Sequence, residues 1–119
     1  MTAEEAFRAL CAGWEHLDAD AVAVLFAPDG RYEGPLFAEI PVGPEAIRAA
    51  CADGIAELSE VRVPIRALAT TGDTVLAEGS FLSQTVEGSR LDFDLVMVLE
   101  LRDGLVVRFK EYFDTAQLA

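Results

Sequence analysis

The run L-V-V-R-F-K-E-Y-F-D, from Leu105 to Asp114, reads as a β-strand whose two faces differ in kind. With a period of two, Leu105, Val107, Phe109, Glu111 and Phe113 share one face, and Val106, Arg108, Lys110, Tyr112 and Asp114 share the other. The first face is apolar except for a glutamate between two phenylalanines. An ionised carboxylate there has lost water, so its neutral form is favoured unless a neighbour donates to it. Glu111 is therefore the first candidate for chemistry. Two structural alternatives stand beside that reading: a buried glutamate satisfied by a hydroxyl such as that of Tyr32, or a local bulge that turns it outward.

Working back from this strand, the period of two persists to Glu60. Arg102-Asp103-Gly104 makes the last turn. Before it, Leu91, Phe93, Leu95, Met97, Leu99 and Leu101 alternate with Arg90, Asp92, Asp94, Val96, Val98 and Glu100. Glu87-Gly88 is a hairpin signal after a long strand, Thr74 to Val86, whose inner face is Val75, Ala77, Gly79, Phe81, Ser83 and Thr85. Thr71-Gly72-Asp73 separates that strand from one with Val61, Val63, Ile65, Ala67 and Ala69 on a common face. Four long antiparallel strands in a meander follow. Glu111 is the one charged residue on their shared inner face. The opposite face alternates charges between neighbouring strands, as a solvated or interface-facing surface does.

Upstream, the period is helical. Phe7, Leu10, Cys11, Trp14 and Leu17 make one stripe of a helix from residue 3 to about 17, and His16 falls on its polar side. Asp18 caps a second helix, Ala19 to Phe26, which Pro28-Asp29-Gly30 ends in a turn. Arg31-Tyr32-Glu33 is short and β-like; Tyr32 either puts its hydroxyl into a cavity or packs its ring with the hydroxyl wet. Residues 35–42 are a loop. Gly43-Pro44-Glu45 starts a third helix to about Leu58, with Ile47, Cys51, Ile55 and Leu58 inward. Helices first and an antiparallel sheet after them make an α+β domain.

A chain of 119 residues that is 52% hydrophobic can fill a genuine core as one domain. Its net charge of −12, from 21 acids against eight arginines and Lys110, leaves no basic patch for nucleic acid or an anionic membrane surface. No apolar run reaches the roughly 18 residues that a membrane span needs, and the opening M-T-A-E-E carries no signal-peptide pattern. A cytoplasmic setting is the expectation. Cys11 and Cys51 lie at apolar helical positions, as buried free thiols do. The chain has no glycine-rich phosphate loop, Cys/His metal spacing or serine–histidine–acid set, so neither cofactor nor metal is expected.

The closing D-G-L-V-V-R-F-K-E-Y-F-D, with F-A-P-D-G-R-Y-E-G-P after the second helix and V-G-P-E-A-I-R at the third, resembles the SnoaL-like branch of the nuclear transport factor 2-like superfamily. The resemblance covers nearly the whole chain, 1–119, as a single SnoaL-like domain. It implies a cone-shaped (cystatin-like) fold with three N-terminal helices on a curved antiparallel sheet. Polyketide cyclases, ketosteroid isomerases and limonene-epoxide hydrolases share that fold. In the epoxide hydrolases Glu111 corresponds to an aspartate of the last strand and Tyr32 to a water-holding tyrosine. Phe109 replaces their tryptophan, Gly34 their asparagine, and Gly79 and Phe81 fall near their middle-strand arginine and aspartate.

These readings converge on a small-molecule enzyme (isomerase, cyclase or epoxide-hydrolase-like) acting on an apolar substrate. Glu111 is its expected general acid or base, and Tyr32 would orient water or an oxyanion. Trp14, Phe81, Phe93, Met97, Phe109 and Phe113 are the expected pocket. The alternatives are a non-catalytic binder of small hydrophobic molecules and a dimerisation domain without ligand. A homodimer through the outer sheet face is expected from the resemblance and from Val96 and Val98 among its charges.

Overall fold

Each of the first two helices starts at a side chain that satisfies its free amides. In the computed structural model, which describes residues 1–118, α1 spans Ala3–Glu15 behind Thr2. The Thr2 hydroxyl accepts from the Glu5 amide at 3.1 Å and the Glu5 carboxylate accepts from the Thr2 amide at 2.7 Å, a reciprocal capping box. Asp18 caps α2, Ala19–Ala23, by accepting from the Ala21 amide at 3.0 Å. α3, Pro44–Ile55, starts behind Gly43, whose φ of 87° requires glycine.

The strands are β1 Phe26–Glu33, β2 Leu58–Arg62, β3 Ile65–Thr71, β4 Thr74–Thr85, β5 Arg90–Arg102 and β6 Leu105–Tyr112, and a short 3-10 turn covers Thr115–Leu118. They form one sheet in the order β1-β6-β5-β4-β2, with β3 also on β4. Buried residues of the helices, among them Phe7, Leu10, Val22 and Ile47, pack with Val75, Leu99, Val106 and Phe109 of the inner sheet face. No helix among the described residues is long and apolar enough to cross a membrane. The α+β class, the three helices and the hairpins at Gly72, Gly88 and Gly104 are as the sequence reads, with β1 lying between α2 and α3.

The sheet is mixed where a purely antiparallel one was expected, because β1 runs parallel to β6. β1 also begins at Phe26, inside the stretch assigned to the second helix and its turn. Phe26 faces Val106 and Arg31 faces Arg108, so Pro28-Asp29-Gly30 is absorbed as a bulge within the strand. Likewise α3 ends at Ile55, and Leu58 opens β2. The single strand expected over residues 61–69 is broken at Val63-Pro64, where proline has no N–H for the ladder. The Pro64 carbonyl instead accepts from the Ser80 amide at 3.0 Å. A register shift in β3 then puts Leu68, rather than Ala67, opposite the buried Ala77.

A further bulge decides which side chains of β6 face the core. Glu100 pairs with Arg108 but Leu101 pairs with Val106, so Val107 is the extra residue. Val106 is therefore fully buried and Leu105 is 39% exposed, the reverse of the expected faces. Beyond the bulge the alternation resumes: Phe109 faces Leu99 and Glu111 faces Met97, both on the inner side.

Candidate active site

The open end of the core holds a cavity of about 490 Å³ between the last turns of α1 and α3, the loop after β1, and the ends of β4, β5 and β6. Trp14, Phe81, Phe93, Phe113 and Glu111 of the expected set line it. The aromatics form one wall: Trp14 meets Phe81 edge-on at 5.8 Å, Phe81 stacks on Phe93 at 5.2 Å, and Phe93 stacks on Phe113 at 4.1 Å between centroids. Such contacts hold large side chains in place and exclude water.

Glu111 stands between this cavity and a small inner void of about 10 Å³. Met97 and Phe109, expected on the pocket wall, line only the inner void, because their strand positions lie deeper in the core. Tyr32 is behind Glu111 as well, buried between Phe26, Phe37 and Phe109 at 5.9, 5.2 and 5.0 Å. Its hydroxyl is neither wet nor in the main cavity. It accepts from the Trp14 indole Nε1 at 3.0 Å and lies near the Glu111 carboxylate, whose ionised form it favours. Tyr32 lines the inner void and not the main cavity.

Burial pushes the Glu111 carboxyl up to about 7, and the nearby Tyr32 hydroxyl opposes that rise. Burial, with the Glu111 charge behind it, drives the Tyr32 hydroxyl well above its ordinary range, so it stays a donor. The cations of β6 cannot neutralise Glu111, because they lie on the other face. Arg108 binds Glu33 at 2.9 Å and Glu100 at 3.1 Å, and Lys110 stands 4.5 Å over the Tyr112 ring. Gly34 keeps the approach to the carboxylate open: a Cβ there would lie 3.3 Å from Glu111 Oε1.

The remaining candidates fall elsewhere. His16 is exposed at the end of α1, with Nδ1 2.8 Å from the Ala12 carbonyl. Arg90 and Asp92 pair at 3.0 Å, and the Ser83 amide, ahead of Arg90, holds Asp92 below the usual carboxylate range. Asp114 caps the final turn, accepting from Ala116 at 2.9 Å. Cys11 and Cys51 are free, and burial pushes both thiols up to about 12, where they are poor nucleophiles. Among the described residues no group of three or more His, Cys, Asp or Glu could hold a metal ion.

Sequence reasoning missed Phe37, Leu36, Asp53 and Glu57, which also line the cavity. Phe37 carried a signal, as an aromatic residue in a glycine- and proline-rich loop. Asp53 and Glu57 carried none, since exposed acids late in a helix look alike wherever they point.

The family model for the SnoaL-like domain matches residues 7–109. The chain belongs to the SnoaL-like domain family. Solved structures similar to this SnoaL-like chain include TerC co-crystallised with polyporic acid, 24% identical with a TM-score of 0.83, covering 98% of this chain and 94% of that one. A Catenulispora acidiphila protein with a ketosteroid isomerase-like fold, in complex with trimethylamine, is 23% identical with a TM-score of 0.86, over 98% and 90%. An M. tuberculosis LEH-like epoxide hydrolase is 23% identical with a TM-score of 0.82, over 97% and 84%. At these identities the likeness is one of fold. No curated protein is significantly similar in sequence.

Proposed function

We propose that this SnoaL-like protein is an enzyme that moves a proton on a small, largely apolar molecule, with Glu111 as general base. The observation that carries the proposal is an unpaired carboxylate facing an aromatic cavity, with its proton affinity raised to about 7. A base poised near working pH combines a large ionised fraction with real driving force for proton transfer. Tyr32, held by Trp14, fixes the carboxylate and is a positioning residue. The family resemblance to cyclases, isomerases and epoxide hydrolases supports proton abstraction or water activation as the reaction class. Structures holding polyporic acid and trimethylamine support the cone as a small-molecule site.

Isomerisation or cyclisation fits better than epoxide opening. The resemblance places the epoxide hydrolases' arginine near Gly79, where a side chain would meet the Pro64 carbonyl and Ile65. Glu111→Gln keeps the volume and removes the base. Turnover of any substrate found in a metabolite screen should fall about 10²–10⁴-fold, with binding retained by calorimetry. In the parent protein kcat/KM should rise with pH through about 7 as Glu111 ionises. Unchanged turnover in Glu111→Gln overturns the role of Glu111, and ligand uptake without product in the parent favours the binding-module reading.

The outer sheet face is the proposed homodimer surface. Leu76, Val96 and Tyr112 are each more than two-fifths exposed there, and Val96 pairs directly with Tyr112. Sedimentation equilibrium should show a dimer, and a monomer at the highest concentrations reached overturns this proposal.

A further inference from the structure

The ionisable groups of the cavity all have one sign. Glu111, Asp53 and Glu57 line it, and no arginine, lysine or histidine does. Asp53 and Glu57 are exposed, hence on its open side, and belong to none of the ion pairs among the described residues. Asp53 stands in the last turn of α3 and Glu57 in the turn just beyond its end, where acids oppose the helix dipole. Helix stability alone would place a lysine or arginine here. No basic residue occupies the last turn of α3 or of α1. The Trp14 side chain bridges from the last turn of α1 to that of α3, since a Cβ on Gly54 would lie 3.6 Å from its ring. Two partially negative helix termini thus add to the field of three carboxylates.

The walls are an independent observation. Phe93 stacks with both Phe81 and Phe113, so these ring faces are largely taken up by one another and the wall offers the cavity an apolar surface that suits the uncharged body of a ligand. An anionic ligand would meet repulsion from every charge in the cavity.

We propose that the substrate carries a protonated amine, its ammonium group at the Asp53–Glu57 mouth and its apolar body along the aromatic wall. This inference rests on the small-molecule reading above and adds the substrate class to it. At the mouth the ammonium keeps part of its hydration while it meets two exposed carboxylates, so little is lost to desolvation. Glu111 is left free at the inner end for the reacting atoms. An amine bound directly to Glu111 would instead take up the charge that makes it a base.

Three ligands with one cage test this: adamantylmethylamine, adamantylmethanol and adamantane carboxylate, titrated calorimetrically at about pH 8, where the amine is charged. The amine is expected to bind about tenfold tighter than the alcohol, and the carboxylate weakest. In an Asp53→Asn/Glu57→Gln variant the ratio of amine to alcohol affinity should fall severalfold, to what Glu111 and the helix ends alone supply. In the parent protein that ratio should shrink from low to physiological salt as exposed charges are screened. Equal binding of amine and alcohol, a tighter carboxylate, or a preference undiminished by both variant and salt overturns the amine assignment and leaves the pocket reading standing. No binding by any of the three overturns both.

Discussion

Glu111→Gln is expected to stabilise the protein by roughly 2–3 kcal/mol at about pH 8 and to be near neutral at about pH 4. The native carboxyl holds its proton up to about 7, whereas the unfolded chain releases it near the ordinary 4.5. Below the lower value both states are protonated and the group has no effect on folding. Between the two, the native state binds more protons than the unfolded one, so stability falls as pH rises. Above about 7 both are ionised, and the native protein carries the whole penalty of a charge held in an apolar cavity. Glutamine is neutral throughout and keeps the volume of the side chain. Burial dominates the shift, and the side chain keeps some contact with the cavity, so the lower half of that range is the safer expectation.

Urea denaturation of both proteins at the two pH values measures the difference directly. Comparing parent with variant matters, because Glu5, Asp29 and Asp92 have lowered carboxyls and act in the opposite sense, losing stability as pH falls. Their contributions cancel in the comparison. If the variant is no more stable at high pH, Glu111 is solvated or paired and the base assignment loses its footing. The expected gain also marks Glu111 as a residue kept at the expense of stability, as functional groups often are.

The second large effect lies at Gly79. Gly79→Ala is expected to cost about 3 kcal/mol and lower Tm by about 10 °C, and Gly79→Arg is expected not to fold. A Cβ at Gly79 would collide with the Pro64 carbonyl oxygen and come within 3.1 Å of Ile65 Cδ1 and 3.3 Å of Ile65 Cα. Two of these three obstacles are backbone and cannot swing aside. The Pro64 carbonyl is also fixed by the Ser80 amide at 3.0 Å. The corner between β2 and β3 therefore depends on the bare glycine. Thermal melts of Gly79→Ala decide the matter: an unchanged Tm would mean that the corner yields, leaving room for a side chain at this site.

How much of this was legible follows from which forces are local. The alternation of β4 and β5 is written residue by residue, because each strand has one buried and one wet face. The cap at Asp18 and the turns at Gly72, Gly88 and Gly104 depend on a few adjacent residues, so they too could be read. The same reading placed Glu111 on the inner face. The Val107 bulge reversed Leu105 and Val106 upstream of it but left Phe109 and Glu111 facing inward.

By itself the sequence determined the α+β class, the inner face of the long strands and a lone glutamate upon it, since hydrophobic period and turn chemistry act within a few residues. Only the tertiary structure decided that β1 joins β6 in parallel, because that pairing is made between distant backbones and leaves no side-chain pattern. It alone put the Tyr32 hydroxyl between Trp14 and Glu111, and brought Asp53 and Glu57 to the mouth of the same cavity. Those juxtapositions join residues far apart in the chain, and it is the packing of the helix ends over the sheet that brings them together.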